Sequence, residues 1–527
     1  MFVLIKDKGE MFMRTKYAIR NISVNLISQI VIILLGFMSR KVFIDNLGAE
    51  YLGVNGVLTN ILSMMVLIES GIGISIVYNL YKPLAEDDKG KICALVKLYK
   101  KAYIILAVIM LLFSYGIYPF LNKLMKTDSD IPFMFLVYSI FVIKNVISYL
   151  NAYKWALINA DQKGYLLSRN NLIFQVVTTI SKITILIRTK NYILFLSIEL
   201  VVFVIQNIVN TITVRKLYPY LNNKYECKID EETKNNITKN VKAMFLHNIG
   251  GYLVNGTDNL LIASFVNVAT VGLYSNYTMV TSELAALLGP IINGIGVGVG
   301  NLIATEDKKK VYEIFNISYF ISFWIYSLAT IFLYALLEPF INWWIGKGYL
   351  LGKYVFIFIL VNFYIGGMRG VVSNYKNKAG LFVQDKYAPV FEGLVNLIVS
   401  IILMNRLGLV GVFMGTTIST LLVPFWNQPR ILYKNLFKRS VWIYFRKYIF
   451  YLLLTLVIGV GTSSLCNIFI CGYSFISLCA RGIICLIVPN IIYLVLFYKT
   501  EEFKYLLGAV KVQLSNISIF KKVLKLN

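Results

Sequence analysis

Long apolar runs separated by short polar turns extend along almost the whole chain. About fourteen of these runs approach or exceed the ~20 residues that a helix needs to cross the hydrocarbon core of a bilayer. The pattern predicts an all-α polytopic membrane protein. The predicted helices lie at 22–44, 52–78, 103–118, 133–153, 171–187, 192–213, 243–265, 271–300, 314–336, 354–373, 388–404, 409–427, 448–470 and 474–498.

A stretch in the middle of the chain is similar to one near its N-terminus. Residues 46–55 read NLGAEYLGVN, and residues 266–276 read VNVATVGLYSN, with Gly53 and Gly272 at equivalent places. We therefore predict two related halves, the second of which begins near residue 243. The predicted boundaries are 1–213 for the N-terminal lobe, 214–242 for a cytoplasmic inter-lobe loop, 243–430 for the C-terminal lobe, and 431–527 for helices 13 and 14 with a cytoplasmic tail.

Composition and charge agree with a membrane protein. Hydrophobic residues make up 58% of the chain and the mean hydropathy is +0.69, more apolar surface than a soluble core could bury. The net charge of +26 would favour a nucleic-acid partner in a soluble protein. Here about 39 of the 52 Lys and Arg fall in alternate polar segments, as expected of cytoplasmic loops. We therefore predict a multi-pass protein of the cytoplasmic cell membrane, with both termini cytoplasmic and no nucleic-acid partner.

The N-terminal residues and the candidate enzyme motifs exclude several functions. Residues 1–20 are too charged for a cleavable signal peptide, and translation starts at Met1, Met11 or Met13. Residues 346–353 are similar to a P-loop, but the glycine spacing differs and Tyr354 replaces the Ser or Thr that would bind magnesium. The six cysteines have no C-x-x-C spacing, and no predicted outer loop could hold a catalytic domain. We therefore expect no enzyme activity, no cofactor and no metal site.

Polar stripes along six of the predicted helices are the main functional signal. Their members recur at spacings close to i, i+4, i+7 and i+11, which lie on one face of a helix. A charge at the bilayer centre costs at least ~2.5–3.5 kcal/mol on insertion scales, so these residues are expected to face a cavity or a partner. We predict a wet cationic cavity lined by the cations Arg40, Lys144, Lys182 and Arg369 and by the amides Asn25, Gln29, Gln175, Asn255 and Asn362.

The charged residues also have structural interpretations. Arg40 lies near a predicted outer helix end, from which its side chain could reach the membrane interface. Asp258 is predicted to form a salt bridge with Arg40 that a proton or another ion could break, and the alternative is a fixed cap for the turn at 267–270. Glu69 and Glu283 are further candidates for such an ion-sensitive pair. The acids that could simply neutralise the cavity cations are Glu69, Glu199, Glu283 and Glu392.

Four stretches resemble polysaccharide-export flippases of the multidrug/oligosaccharidyl-lipid/polysaccharide exporter superfamily. They are SRKVFIDNLGAEYLG at 39–53, ESGIG at 69–73, TDNLLI at 257–262 and VGLYSN at 271–276. The resemblance covers nearly the whole chain. It implies two pseudo-symmetric six-helix lobes, helices 1–6 and 7–12, with two additional C-terminal helices. It also implies a central cavity with alternating access that moves an undecaprenyl-diphosphate-linked oligosaccharide from the inner to the outer leaflet, for cell-surface polysaccharide biosynthesis. It also implies diphosphate binding by Arg40 and a polysaccharide polymerase as a partner.

Three functions therefore remain open at this stage. A lipid-linked oligosaccharide flippase needs polar groups for sugar hydroxyls and cations for the diphosphate, which the stripes supply. An ion-coupled exporter of small molecules or drugs on the same fold would favour an acidic cavity, because many of its substrates are cationic. A membrane polymerase or glycosyltransferase would need a large outer loop carrying acids, which the sequence does not predict.

Overall fold

A computed structural model of the protein describes residues 2–508, except 65, 127–130, 255, 297–298, 382–383, 471 and all of 223–248 apart from 229, 231 and 237. Within this part of the chain the secondary structure is helical, without strands. The residues group into two compact units, Met1–Ser275 and Asn276–Asn527.

The N-terminal unit is built from long helices joined by short turns. Its helices are α1 (Phe2–Ser63), α2 (Val66–Ala85), α3 (Lys89–Ile117), the short α4 (Leu121–Leu124), α5 (Met134–Ala160), α6 (Gly164–Thr189), α7 (Tyr192–Leu217), α8 (Asp258–Phe265) and the first residues of α9 (Val268–Gly296). Asp88 and Asn191 cap α3 and α7, because each side chain accepts a hydrogen bond from the backbone N–H three residues later.

Helix α1 contains the first two structural corrections to the predicted elements. Its backbone bends at Gly48, which has φ 82° and ψ −178°, a conformation that a residue with a side chain adopts only with strain. The bend separates the predicted first helix from the start of the second. The predicted second helix at 52–78 is wrong in its extent, since α1 ends at Ser63 and α2 begins at Val66. Glu69 therefore lies in the first turn of a separate helix.

The two glycines that the sequence comparison aligned lie at one close helix crossing. A Cβ built on Gly53 would lie 1.9 Å from the backbone oxygen of Val268, and a Cβ on Gly272 would lie 1.9 Å from the backbone oxygen of Ala49. The contact is reciprocal, because each glycine meets the residue four positions before the other. No larger side chain fits unless the backbones separate, so glycine is required at both positions.

The C-terminal unit contains the remaining helices. They are the rest of α9, α10 (Val299–Thr305), α11 (Lys308–Trp344), α12 (Lys353–Lys378), α13 (Ala388–Leu407), α14 (Leu409–Leu422), α15 (Pro424–Leu432), α16 (Trp442–Phe469) and α17 (Phe475–Phe497). Residues 501–508 are also helical. Aromatic rings dominate its core: Phe323 stacks on Tyr451 with ring centroids 3.9 Å apart. Helix α11 thereby packs against α16.

Ten helical segments within the described residues are long and apolar enough to cross a membrane. They correspond to the predicted helices 3–6 and 9–14, and most extend further than predicted, as in Lys89–Phe120 and Lys308–Trp344. The prediction of an all-α, multi-pass membrane protein is confirmed. Helix ends extend beyond the apolar runs because capping residues and polar turns continue the helix into the interface.

Candidate functional site

A carboxylate shared by two lysines lies among α5, α6 and α7. Lys144 Nζ donates to Oε1 of Glu199, and Lys182 Nζ donates to Oε2 of the same side chain. The side chains are 38% exposed for Lys144, 22% for Glu199 and 17% for Lys182, so the cluster is partly accessible. The structure therefore pairs Glu199 with both lysines, a pairing that the sequence left open. With both lysines charged, one negative charge faces two positive charges, and the cluster carries a net positive charge.

Helix α7 presents this carboxylate between two aromatic rings. Phe195, Glu199 and Phe203 follow at intervals of four residues and therefore share one helix face. The Lys182 Nζ lies 4.2 Å from the ring centroid of Phe195, and the Lys144 Nζ lies 5.7 Å from that of Phe203. Each ammonium thus contacts a ring face as well as a carboxylate oxygen, which fixes both lysines in place.

Amide side chains extend the polar face of α6 away from this cluster. Gln206 Nε2 donates to Asn171 Oδ1 at 2.8 Å, and Asn170 Nδ2 donates to Asn210 Oδ1 at 3.0 Å. Asn171 and Gln175 are exposed one turn apart on α6, and Lys182 lies two turns further along. Because amides carry both donors and acceptors, this face can bind hydroxyl groups next to a cationic centre.

Lys154 is a cation that the sequence analysis did not single out. Its Nζ donates to Asn151 Oδ1 at 2.7 Å and to Thr211 Oγ1 at 2.8 Å, both of which are neutral. The signal was available, because Lys154 follows Asn151 by three residues on the polar stripe of its helix. Its position near the predicted cytoplasmic end of the helix led to its assignment to a loop.

Arg40 and Asp258 both lie in the N-terminal unit. Arg40 Nη1 donates to Ser275 Oγ at 2.7 Å, and Ser275 Oγ in turn donates to the backbone oxygen of Gly272. Asp258 is buried in the first turn of α8, and its Oδ1 has no hydrogen-bond partner among the described residues. The predicted salt bridge between Arg40 and Asp258 stays a prediction.

The C-terminal unit holds Arg369 and Asn362 in separate contacts. Arg369 Nη1 donates to Glu392 Oε1 at 3.0 Å, and Thr420 Oγ1 donates to the same oxygen at 3.2 Å. The pairing expected for Glu392 is therefore confirmed. Asn362 Nδ2 donates to the backbone oxygen of Phe413 at 3.0 Å. These contacts tie α12 to α13 and α14.

A second ion pair in this unit was not predicted. Lys376 Nζ donates to Asp385 Oδ2, and the two side chains are only 7% and 5% exposed. Lys376 lies seven residues after Arg369, hence on the same face of α12, which a longer stripe would have revealed. Asp385 is in the turn that follows α12, where its partner could not be deduced from periodicity.

The remaining candidates are more dispersed. Glu69 accepts a hydrogen bond from Tyr103 Oη at 3.1 Å, linking α2 to α3. Gln29 in α1 and Glu283 in α9 are half-buried. The side chain of Asn25 and the whole of Asn255 lie outside the described residues. Among the residues that the structure describes, no group of three His, Cys, Asp or Glu side chains could hold a metal ion.

Solved structures of a flippase and of several transporters have a fold similar to that of this chain. The lipid II flippase MurJ, in an inward closed conformation, aligns with a TM-score of 0.64 and 15% identity over 90% of this chain and 98% of its own. The chain has the fold of the MOP superfamily. An inward-facing multidrug resistance MATE family transporter of that superfamily aligns with a TM-score of 0.58 and 13% identity, over 80% of this chain and 99% of its own.

Another MOP-fold neighbour is the MATE multidrug transporter DinF-BH. It aligns with a TM-score of 0.58 and 13% identity, over 80% of this chain and 97% of its own. Neither a protein-family model nor a curated protein sequence matches the chain. The MOP fold therefore rests on structure, and the MurJ alignment includes more of this chain than either exporter alignment does.

Proposed function

We propose that this protein is a flippase that moves a prenyl-diphosphate-linked oligosaccharide between the leaflets of the cytoplasmic membrane. The observation that carries the proposal is the Lys144–Glu199–Lys182 cluster, where two cations share one acid within three membrane helices. A diphosphate is the part of such a substrate that hydrocarbon excludes most strongly. A surplus cation, partly shielded from water, would offset that charge.

The neighbouring amides support the same substrate class. Asn171 and Gln175 are exposed on the face of α6 that also carries Lys182. A sugar head group attached to a diphosphate would place its hydroxyls within reach of such amides when the phosphates contact the lysines. This order, cations next to amides on one helix face, suits a charged lipid-linked sugar better than it suits a small cationic drug.

The comparison with solved structures supports a transporter rather than an enzyme. The MurJ structure is named as a lipid II flippase, and its alignment covers 90% of this chain against 80% for two MATE transporters. Arg40 is the remaining cation that we assign to the substrate diphosphate. Asp258, buried with an unpartnered oxygen among the described residues, is our candidate for the coupling group.

Depletion of the protein in its host tests the substrate. Membranes would be extracted before and after depletion, and the prenyl-diphosphate-linked sugars would be measured by mass spectrometry. We expect a completed lipid-linked oligosaccharide to accumulate, and re-expression of the wild-type chain to reverse it. A lipid-linked pool that does not change, combined with increased sensitivity to small cationic compounds, would contradict the proposal.

The same strain allows a residue-level control. Lys182→Met should fail to reverse the accumulation, whereas Lys310→Met, which removes an exposed lysine of α11, should reverse it fully. Western blotting of membrane fractions would show that both variants reach the membrane in equal amounts. If Lys182→Met reverses the accumulation as well as the wild type does, the cluster does not bind the substrate.

A further inference from the structure

An apolar cavity of about 490 Å³ lies in the C-terminal unit, among α11, α12, α14, α15 and α16. Its volume falls within the range of roughly 300–1,000 Å³ typical of small-ligand sites. The wall on α16 runs from Tyr448 to Val460, a length of about 18 Å at the rise of an α-helix. Most of the lining side chains are aliphatic or aromatic, so a sugar or a free ion would find few partners there.

The cavity opens on a face that exposes large apolar side chains. Ile449, Leu456 and Val460 line it and are each more than half exposed. In a helix that is long and apolar enough to span a membrane, such a face contacts lipid chains. The hydrocarbon of one leaflet is about half of a ~30 Å core, so a cavity about 18 Å long matches one acyl chain of one leaflet.

One end of the cavity leads to a cluster of aromatic rings. Phe425 and Tyr448 form this end of the wall, with ring centroids 4.9 Å apart. Trp426 lies beside them, 4.4 Å from Phe445 and 6.2 Å from Trp442 by ring centroids. Trp426 and Trp442 are both largely exposed, as is usual for tryptophans at the level of lipid head groups.

The chain around these tryptophans is strongly basic. Residues 427–448 contain six Lys or Arg and no Asp or Glu. Arg430 and Arg446 are exposed, and each follows one of the two tryptophans by four residues, one helical turn. Tyr448, at this end of the cavity, is buried, and its hydroxyl has no hydrogen-bond partner among the described residues.

We infer that this cavity binds one acyl chain of an anionic glycerophospholipid, whose phosphate contacts Arg430 and Arg446. The basic segment and the exposed tryptophans indicate that the head group lies at the Tyr448 end of the cavity. The length of the cavity fits the acyl chain of a lipid that resides in one leaflet. This lipid is a bound component of the membrane rather than the transported molecule. The inference therefore does not depend on the proposed transport function.

Two glycines of α16 provide a matched test of the chain site. Gly459 lines the cavity, and a Cβ there would meet Ile331 at an ordinary contact distance of 3.5 Å. Gly461 is exposed outside the cavity, with nothing within 4 Å of a Cβ. Gly459→Leu would fill the cavity, whereas Gly461→Leu introduces the same side chain into the same helix without entering it.

Native mass spectrometry of the purified full-length protein measures the bound lipid directly. The protein would be delipidated in mild detergent and titrated with dioleoyl-phosphatidylglycerol or dioleoyl-phosphatidylcholine. We expect one phosphatidylglycerol to bind preferentially to the wild type, with at least fivefold weaker binding to Gly459→Leu and unchanged binding to Gly461→Leu. Equal weakening in both variants, or equal binding of the two lipids to the wild type, would overturn the inference.

The phosphate contacts are tested independently by charge removal at the surface, which keeps the test valid if Gly459→Leu does not fold. The double variant Arg430→Gln/Arg446→Gln should lose most of the preference for phosphatidylglycerol over phosphatidylcholine. The control Lys308→Gln/Lys309→Gln removes two exposed charges from α11 of the same unit and should keep it. An unchanged preference in the first variant, or displacement of phosphatidylglycerol by a prenyl lipid at equimolar concentration, would contradict the assignment.

Discussion

Two sets of charged contacts, one in each unit of the protein, are balanced differently. In the C-terminal unit, Arg369 pairs with Glu392 and Lys376 with Asp385, one cation for each acid. In the N-terminal unit, the single carboxylate of Glu199 forms ion pairs with both Lys144 and Lys182. Matched pairs hold helices together at a desolvation cost, whereas a surplus cation can still attract an anion. From this difference we propose a structural role for the first set and substrate binding for the second.

The largest expected effect concerns the buried pair in the C-terminal unit. Asp385→Asn leaves the Lys376 ammonium buried without its carboxylate, and breaking such a pair costs about 3–5 kcal/mol. We expect a clear loss of thermal stability in detergent, measured by the unfolding midpoint. The double variant Lys376→Met/Asp385→Leu removes both charges and should recover most of that stability. A single variant as stable as the wild type would show that the pair does not hold the unit together.

A smaller effect is expected from the surplus cation in the N-terminal unit, and it should appear in transport. Lys182→Met leaves Lys144 and Glu199 as a matched pair, so the net charge of the cluster disappears. A charge-assisted hydrogen bond contributes about 1.5–3 kcal/mol, which corresponds to a reduction in transport of roughly 10- to 150-fold. Stability should change little. If instead the unfolding midpoint falls and transport by the folded fraction is normal, the cluster is structural.

Removal of the ion pair between Arg369 and Glu392 tests whether matched pairs contribute to transport. The double variant Arg369→Met/Glu392→Met removes one cation and one acid together, and the net charge stays the same. We expect transport to fall by about threefold or less, equivalent to the loss of under ~1 kcal/mol. Reconstituted transport rates normalised to inserted protein would measure this. A loss as large as that of Lys182→Met would mean that both units bind the substrate.

The smallest expected effect is a pH dependence just beyond the end of α17. Burial alone would raise the pKa of Glu502, but the hydrogen bond and charge of Lys447 at 2.8 Å hold that pKa below its ordinary value. A lowered pKa in the folded state stabilises the protein above the ordinary pKa near ~4.3, and that contribution is lost as the pH falls through the folded value. Because the pair is about one-quarter exposed, it contributes only about 0.2–1 kcal/mol.

Glu502→Gln measures that contribution. The unfolding midpoint of the variant should lie slightly below that of the wild type at pH 7, and the two should converge below about pH 4. Glu501→Gln removes the adjacent acid, which is 88% exposed, and serves as the control. A difference between wild type and Glu502→Gln that grows as the pH falls would have the opposite sign to the one expected.

The sequence predicted the membrane helices well because hydrophobic length is a local property. It could not place the break between the end of α1 at Ser63 and the start of α2 at Val66, since the apolar run of the predicted helix 52–78 continues through that position. It did align Gly53 with Gly272, and the structure shows why both are glycine: each accommodates a backbone oxygen of the opposite helix. The sequence pattern identified the two glycines, but it did not show that their helices cross at these positions.

The candidate site was predicted in part for the same reason. Helical spacing identified Lys144 and Lys182 as polar positions on apolar helices. It could not show that Glu199, on a third helix, would lie between them. The periodicity of one helix shows which of its residues share a face, but not which residues of other helices contact that face. Asp385 was missed because it lies in a turn, where no repeating pattern indicates direction.

The central claim is that the N-terminal cluster recognises a diphosphate. It is tested most directly with purified protein in liposomes that contain two fluorescent prenyl-linked disaccharides, identical except that one carries a diphosphate and the other a neutral linkage. Leaflet exposure would be followed by dithionite quenching. We predict that the wild type flips the diphosphate lipid at least tenfold faster than the neutral lipid, and that Lys182→Met abolishes this preference. Equal rates for the two lipids in the wild type, or an undiminished preference in Lys182→Met, would contradict the account.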